Sequence, residues 1–271
     1  MADPDPMQQP WVAYEPDLMP PLGLMRREGI DVLEDWFRWA EEWSLLLRLY
    51  GLLGRHSHVL EIGCGLGRIA FPLRYILSGG GAYDGFDICR EKVEFLERSF
   101  HRVYPHFRFA WADVYNTYYN PGGKTRAVEY RFPYPDEQFD VVFAASVFTH
   151  MLPDAAAHYF RESARVLKPN GRCVFSFFLL DQYRPGQARP LGFARPDFNF
   201  DHPYGDYDSD FAVVEPRCPE QMTAYRTGLI ERLVRQAKLD LAQAPVPGFW
   251  SGSASNWVST QDLVVLSRKL T

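Results

Sequence analysis

The run Val59-Leu60-Glu61-Ile62-Gly63-Cys64-Gly65-Leu66-Gly67-Arg68 decides the fold. Its first half, led in by His58, reads as a buried strand over 58–62. Its second half is a glycine turn opening a helix over 67–77. Glycines at 63, 65 and 67 permit tight backbone conformations and let a ligand approach the main chain. The helix that follows leaves free N–H groups at its start, beside the same turn.

The same rhythm continues outward. Strands are expected over 83–87, 107–112, 139–145 and 172–179, with helices over 90–104 and 154–167 between them. The run Lys168-Pro169-Asn170-Gly171 reads as a turn. A helix over 219–237 and strands near 240–245 and 261–268 complete the chain. Such alternation predicts a parallel sheet covered by helices on both faces. Upstream, Trp36, Trp39, Ala40, Trp43, Leu46, Leu47 and Tyr50 follow helical spacing over 31–53. This stripe suits a core face, part of which can roof a ligand pocket. Residues 1–21 are proline-rich and read as an extended arm.

Two stretches break the rhythm, 115–132 and 181–219, both rich in aromatic residues. Both leave the carboxyl ends of strands, where open α/β sheets bind ligands. Long irregular loops there point to function. The expected organisation is an arm and helix over 1–54, acting as a lid or cover, and a cofactor-binding domain over 55–271 with these two insertions.

Composition narrows the function classes. The chain has 271 residues, 46% hydrophobic and 15% aromatic, with a net charge of −5. Nucleic-acid binding asks for a basic footprint; none is present, so no nucleic-acid partner is expected. No apolar run approaches a membrane span, and the acidic start lacks signal-peptide features. Cys64, Cys89, Cys173 and Cys218 show no C-x-x-C spacing. Free thiols in a reducing cytoplasm, and no metal, are the expectation.

Three further positions carry chemistry. Asp87 ends the second strand, where an acid can accept hydrogen bonds from both hydroxyls of a ribose; it can also cap the next helix. Asp113-Val114 follows the third strand, placed to read an adenine edge. Ser146-Val147-Phe148-Thr149-His150 follows the fourth. The strand-end pattern Glu61-x-Gly63-x-Gly65-x-Gly67 departs from the dinucleotide fingerprint G-x-G-x-x-G, whose third glycine would fall at Arg68.

Taken in order, these residues resemble the class I S-adenosylmethionine-dependent methyltransferases, from about residue 58 to 269. The resemblance implies a Rossmann-like, doubly wound, mostly parallel seven-stranded α/β sheet with an antiparallel last strand, plus the N-terminal extension. It implies S-adenosyl-L-methionine as cofactor and S-adenosyl-L-homocysteine as product. The turn Glu61, Gly63, Cys64, Gly65, Gly67 and Arg68 would bind it, with Glu61, Gly63 and Gly65 at the methionine part. Asp87 would hold the ribose, Ile88 would pack on the adenine, and Asp113 and Val114 would read its edge. Ser146 would lie at the methyl end.

The fourth strand end lacks the Asn/Asp-Pro-Pro-aromatic motif of amino-methylating nucleic-acid enzymes and the metal-binding acids of catechol-type enzymes. Together with the charge, this favours a small-molecule acceptor. Residues 146–154 also resemble natural-product sugar O-methyltransferases, where a histidine in this loop serves as base. That makes His150 the base candidate. The companion acid of that group would fall near Phe177, which is not acidic, so Asp181 is the substitute candidate. Trp11 and Tyr14 of the arm, with His202 and Tyr204 of the second insertion, are the acceptor-contact candidates. The Trp-rich helix offers a homodimer surface. An N-, C- or protein-side-chain methyltransferase, a non-catalytic binding protein on the same fold, and an NAD dehydrogenase are the competing readings.

Overall fold

The computed structural model describes residues 15–181, 183, 199–252 and 256–268. Trp11 and Tyr14 lie outside them. The described chain opens with α1 (Leu22–Arg27) and α2 (Leu33–Tyr50). Then come β1 (His58–Ile62), α3 (Ala70–Ile76), β2 (Ala82–Asp87), α4 (Arg90–Leu96) and β3 (Phe107–Trp111). β4 (Phe139–Ala144), α5 (Pro153–Val166) and β5 (Leu167–Phe177) follow. The last part holds β6 (His202–Pro203), β7 (Phe211–Val213), β8 (Thr223–Tyr225), α6 (Thr227–Gln236), β9 (Leu239–Leu241) and β10 (Asp262–Arg268).

Seven strands form one sheet in the order β3-β2-β1-β4-β5-β10-β9. β1 pairs in parallel with β2 and β4, while β10 is antiparallel to both β5 and β9. The alternation of side chains along each strand builds two cores. Val59, Val141, Phe143 and Val174 face α2, α3 and α4. Leu60, Val142, Ala144 and Phe175 face α5 and α6. Both faces are therefore buried, which is why these strands read as continuous apolar runs. The tryptophan stripe of α2 belongs to the first core, with Trp43 tilted against Phe143 at 5.9 Å.

The structure corrects three sequence expectations. The predicted helix over 219–237 is divided: Thr223–Tyr225 is strand β8, and the helix begins at Thr227. β8 exists because it pairs with β7, a partner invisible to local periodicity. The 181–219 stretch is not wholly irregular, since β6 and β7 join β8 in a small antiparallel sheet. The Lys168–Gly171 signal is real but marks a bulge inside β5: Phe139 opposes Leu167, and Val141 already opposes Arg172.

One carboxylate fastens the carboxyl end of the sheet to the loop before β10. Asp262 is fully buried and accepts from Leu179 N (2.8 Å), Gly248 N (2.7 Å) and Trp250 Nε1 (2.6 Å). Asp262→Ala leaves three buried donors without a partner and is expected to cost about 3–5 kcal/mol, measured by urea unfolding. A loss under about 1 kcal/mol would show that other groups take over those donors.

Candidate active site

A cavity of about 970 Å³ opens at the carboxyl ends of β1, β2 and β4. Its floor is the glycine turn. Gly63 and Cys64 donate their N–H groups to the Phe86 carbonyl, which ties the turn to β2. Gly63 has φ of +74°, and a Cβ there would lie 2.5 Å from Val147 Cγ2, so no side chain fits. Gly65 has φ of +53°, and a Cβ built there meets nothing within 4 Å. The space beside it is open, a cradle in which a ligand can lie against the backbone.

Asp87 closes this floor. Its Oδ2 accepts from Gly65 N at 2.8 Å and its Oδ1 from Cys89 N at 2.7 Å. The carboxylate thus braces the turns after β1 and β2 together. Each oxygen keeps a lone pair for a further donor. Both sequence readings of Asp87 meet here, since the brace also steadies the entry to α4. Ile88 and Val114 complete this end of the wall.

Ionisable groups crowd the floor. Glu61 is 2% exposed and accepts from the Tyr83 hydroxyl. Burial pushes its carboxyl up to about 8, although Tyr83 and Arg68 pull the other way. The Arg68 guanidinium lies 4.9 Å from the Trp39 ring centroid. Lys92 pairs with Glu28 at 2.8 Å; burial disfavours its charge, but Asp87 and Glu28 outweigh that and hold its pKa up. Trp36, Trp39 and Trp43 of α2 also line the cavity, so the core stripe borders it.

The far end is built after β4. Ser146 holds φ of +59°, an uncommon conformation for a residue with a side chain. Its N–H donates to Ser176 Oγ (2.8 Å) and its hydroxyl to Gln261 Oε1 (3.1 Å). His150 lies on the same wall. Its Nδ1 is 3.2 Å from the Glu220 carbonyl and its Nε2 is 3.4 Å from the Tyr119 hydroxyl. This network assigns the proton to Nδ1 and leaves the Nε2 lone pair as acceptor. Burial pushes the imidazole down to about 4, against the opposing pull of the Glu220 and Gln221 main chain and the Glu28 charge.

The structure brings most of the predicted residues to one cavity: Glu61, Gly63, Cys64, Gly65, Arg68, Asp87, Ile88, Val114, Ser146 and His150 all line it. Gly67 lies beneath the wall, where a Cβ would meet Leu96 at 2.6 Å. Asp113 is not on the wall; its carbonyl accepts from Thr125 N at 2.9 Å. Asp181 is elsewhere too. Its Oδ2 accepts from Thr227 N (2.7 Å) and Thr227 Oγ1 (2.8 Å), at the start of α6. His202 and Tyr204 are also absent from the lining. Sequence reasoning missed Glu28, Lys92, Tyr118, Tyr119, Glu220 and Gln261. The aromatic richness of 115–132 was the signal for the tyrosines; the others carry no local signal.

With this geometry in place, the chain can be set beside known proteins. A family described as methyltransferase domain matches residues 60–175. This match and the strand order of the sheet support a class I S-adenosylmethionine-dependent methyltransferase domain over that region. Over 140 residues it is 35% identical to the 27-O-demethylrifamycin SV methyltransferase of Amycolatopsis mediterranei, spanning 49% of this chain and 43% of that one. Over 137 residues it is 28% identical to the O-methyltransferase cnsE of Penicillium expansum, spanning 48% and 41%. The matched region is thus less than half the length of either relative. The CcbJ methyltransferase from Streptomyces caelestis shares the methyltransferase-domain fold, with a TM-score of 0.54 at 15% identity over 85% of this chain and 90% of that one. Among the described residues, no helix is long and apolar enough to cross a membrane.

The buried acid of this domain predicts a pH signature. Glu61 goes from an ordinary 4.5 to about 8 on folding, so the folded state holds a proton that the unfolded chain releases. Its contribution is full below 4.5 and is lost as pH rises toward 8. His150 works oppositely: lowered from 6.5 to about 4, it favours the fold as pH rises through that window. Above 6.5 the Glu61 slope stands without it. Wild type is expected to lose stability between pH 6.5 and 8, and Glu61→Gln to flatten that slope, measured by urea midpoints. An unchanged slope in the variant would assign it to other groups.

Proposed function

We propose that the methyltransferase domain transfers a methyl group from S-adenosylmethionine to a hydroxyl of a small molecule. The observation that carries this reading is a single cavity whose floor is the Gly63–Gly65 turn with Asp87 and whose far wall holds His150. When bound, S-adenosylmethionine supplies an electrophilic methyl on a positively charged sulfur. The residues present suit it: the open cradle at Gly65, the spare acceptor capacity of Asp87 for a ribose diol, and the apolar Ile88 and Val114 for a base. Glu61, Gly63 and Ser146 are assigned to the methionine end.

The chain's own work is positioning and proton removal. His150 is assigned as general base. With Nδ1 held by the Glu220 carbonyl, Nε2 presents its lone pair as the acceptor, and burial keeps the ring neutral at neutral pH. Tyr119 shows that an O–H can address this nitrogen. A hydroxyl acceptor needs such a base; an amine does not. The two curated relatives are described as methylating enzymes, and the names of both indicate an oxygen acceptor. Glu28, Asp35 and Glu42 also line the cavity, which suits an acceptor rich in hydrogen-bond donors.

Two measurements test the proposal. Calorimetric titration with S-adenosylhomocysteine is expected to show one site, and Asp87→Ala to weaken it about 10- to 100-fold, the worth of one or two hydrogen bonds to a charged group. No binding to wild type would refute the reading. With an acceptor found by screening phenols and glycosides against methyl-labelled S-adenosylmethionine, His150→Ala should lower turnover about 10²- to 10⁴-fold. The acid limb of kcat/KM should fall near pH 4 and not near 6.5. Unchanged turnover in the variant would remove His150 from the mechanism.

A further inference from the structure

The turn that carries His150 is strapped from two sides by segments distant in sequence. On one side, Thr223 Oγ1 donates to the Phe148 carbonyl (3.0 Å) and the Tyr225 hydroxyl to the Met151 carbonyl (2.6 Å). Between these two straps the Glu220 carbonyl meets His150 Nδ1 at 3.2 Å. On the other side, Asn116 Nδ2 donates to the His150 carbonyl at 3.3 Å. Asn116 Oδ1 accepts from Tyr118 N (3.0 Å) and Tyr119 N (2.8 Å), which folds the first insertion into a tight loop. That loop sets two rings against the imidazole: Tyr119 edge-on at 5.0 Å and Tyr118 parallel at 6.4 Å between centroids.

One residue joins the two sides. The Glu220 carboxylate is buried, yet it does not reach toward the histidine. Its Oε2 accepts from Thr117 N at 2.6 Å and from Thr117 Oγ1 at 2.8 Å. So its main chain fixes the imidazole while its side chain fixes the tyrosine loop. A buried carboxylate with two donors on one oxygen is a strong, directional anchor, and losing it would leave the Thr117 N–H without its partner.

We infer that Glu220 is a positioning residue that locks His150 and the Tyr118–Tyr119 loop into one unit facing the acceptor. It is not the companion acid that the sequence reading placed near Phe177, and it acts through a carbonyl and a neighbouring loop, with no carboxylate–imidazole pair. The Tyr119 hydroxyl, addressed to Nε2, sits where an acceptor hydroxyl must bind to lose its proton to that nitrogen. The inference rests on the reading of His150 as base for its functional meaning; the coupling itself stands on the hydrogen bonds.

The experiment is side-chain nitrogen NMR of His150 as a function of pH, which needs no acceptor. The titratable groups facing the ring are Tyr118 and Tyr119 from the first insertion, Glu220 from the return segment, and Glu28, which caps the C-terminus of α1. Wild type should show the Nδ1–H tautomer and a pKa near 4. Glu220→Ala frees the loop, lets water reach the ring and should raise the pKa by about one unit or more. Thr117→Val should move it the same way, and it decides the matter if Glu220→Ala does not fold. Glu220→Gln, which keeps an oxygen for Thr117, should stay close to wild type. A titration unchanged in both Glu220→Ala and Thr117→Val overturns the inference. So does a parallel loss of S-adenosylhomocysteine affinity in these variants, which would show general collapse in place of local positioning. Wild type failing to bind S-adenosylhomocysteine would refute methyl transfer while leaving the titration result intact.

Discussion

The bond from Gly65 N to Asp87 Oδ2, 2.8 Å long, is the contact on which the rest of the site depends. It joins the turn after β1 to the end of β2, the two neighbouring strands whose carboxyl ends frame the cavity. The glycines make it reachable, because a side chain at position 63 would collide with Val147. With the other oxygen on Cys89 N, the same carboxylate also orders the start of α4. A single acid thereby holds two strand ends and one helix in register. It still offers lone pairs to the cavity, which is how a structural brace can double as a ligand contact.

Burial shapes the chemistry of the two ends differently. Glu61 lies deep enough that a carboxyl is kept protonated near neutral pH, while Lys92 keeps its charge because Asp87 and Glu28 face it. At the far wall the same desolvation keeps His150 neutral. The floor is suited to a charged ligand, and the far wall to taking a proton. Residues 22–50 supply part of both, through Glu28 and the three tryptophans of α2, so the segment before β1 is integral to the cavity.

Much of this was legible in the sequence, for local reasons. β1, its glycine turn and β4 declare themselves because a strand buried on both faces needs mostly apolar residues and a turn at positive φ needs glycine. Asp87 is legible as an acid at a strand end, and Ser146 through the family resemblance of the stretch after β4. What stayed hidden depends on pairing across the chain. Thr223–Tyr225 looks helical beside the strong periodicity of 229–237, and becomes a strand only because β7 lies next to it. Asp181 was the nearest acid to the expected place, yet the N–H and hydroxyl of Thr227, at the start of α6, claim its carboxylate. Glu220 is 70 residues from His150 and 103 from Thr117, and no spacing rule links them.

The central claim is that one cavity joins a cofactor floor at Asp87 to a base at His150. A crystal structure of the protein with S-adenosylhomocysteine tests it most directly. The account predicts the ligand along the Gly63–Gly65 turn, its ribose hydroxyls on Asp87, and its sulfur end toward the wall of Ser146 and His150. A ligand bound away from Asp87, or one whose sulfur points away from His150, would contradict it.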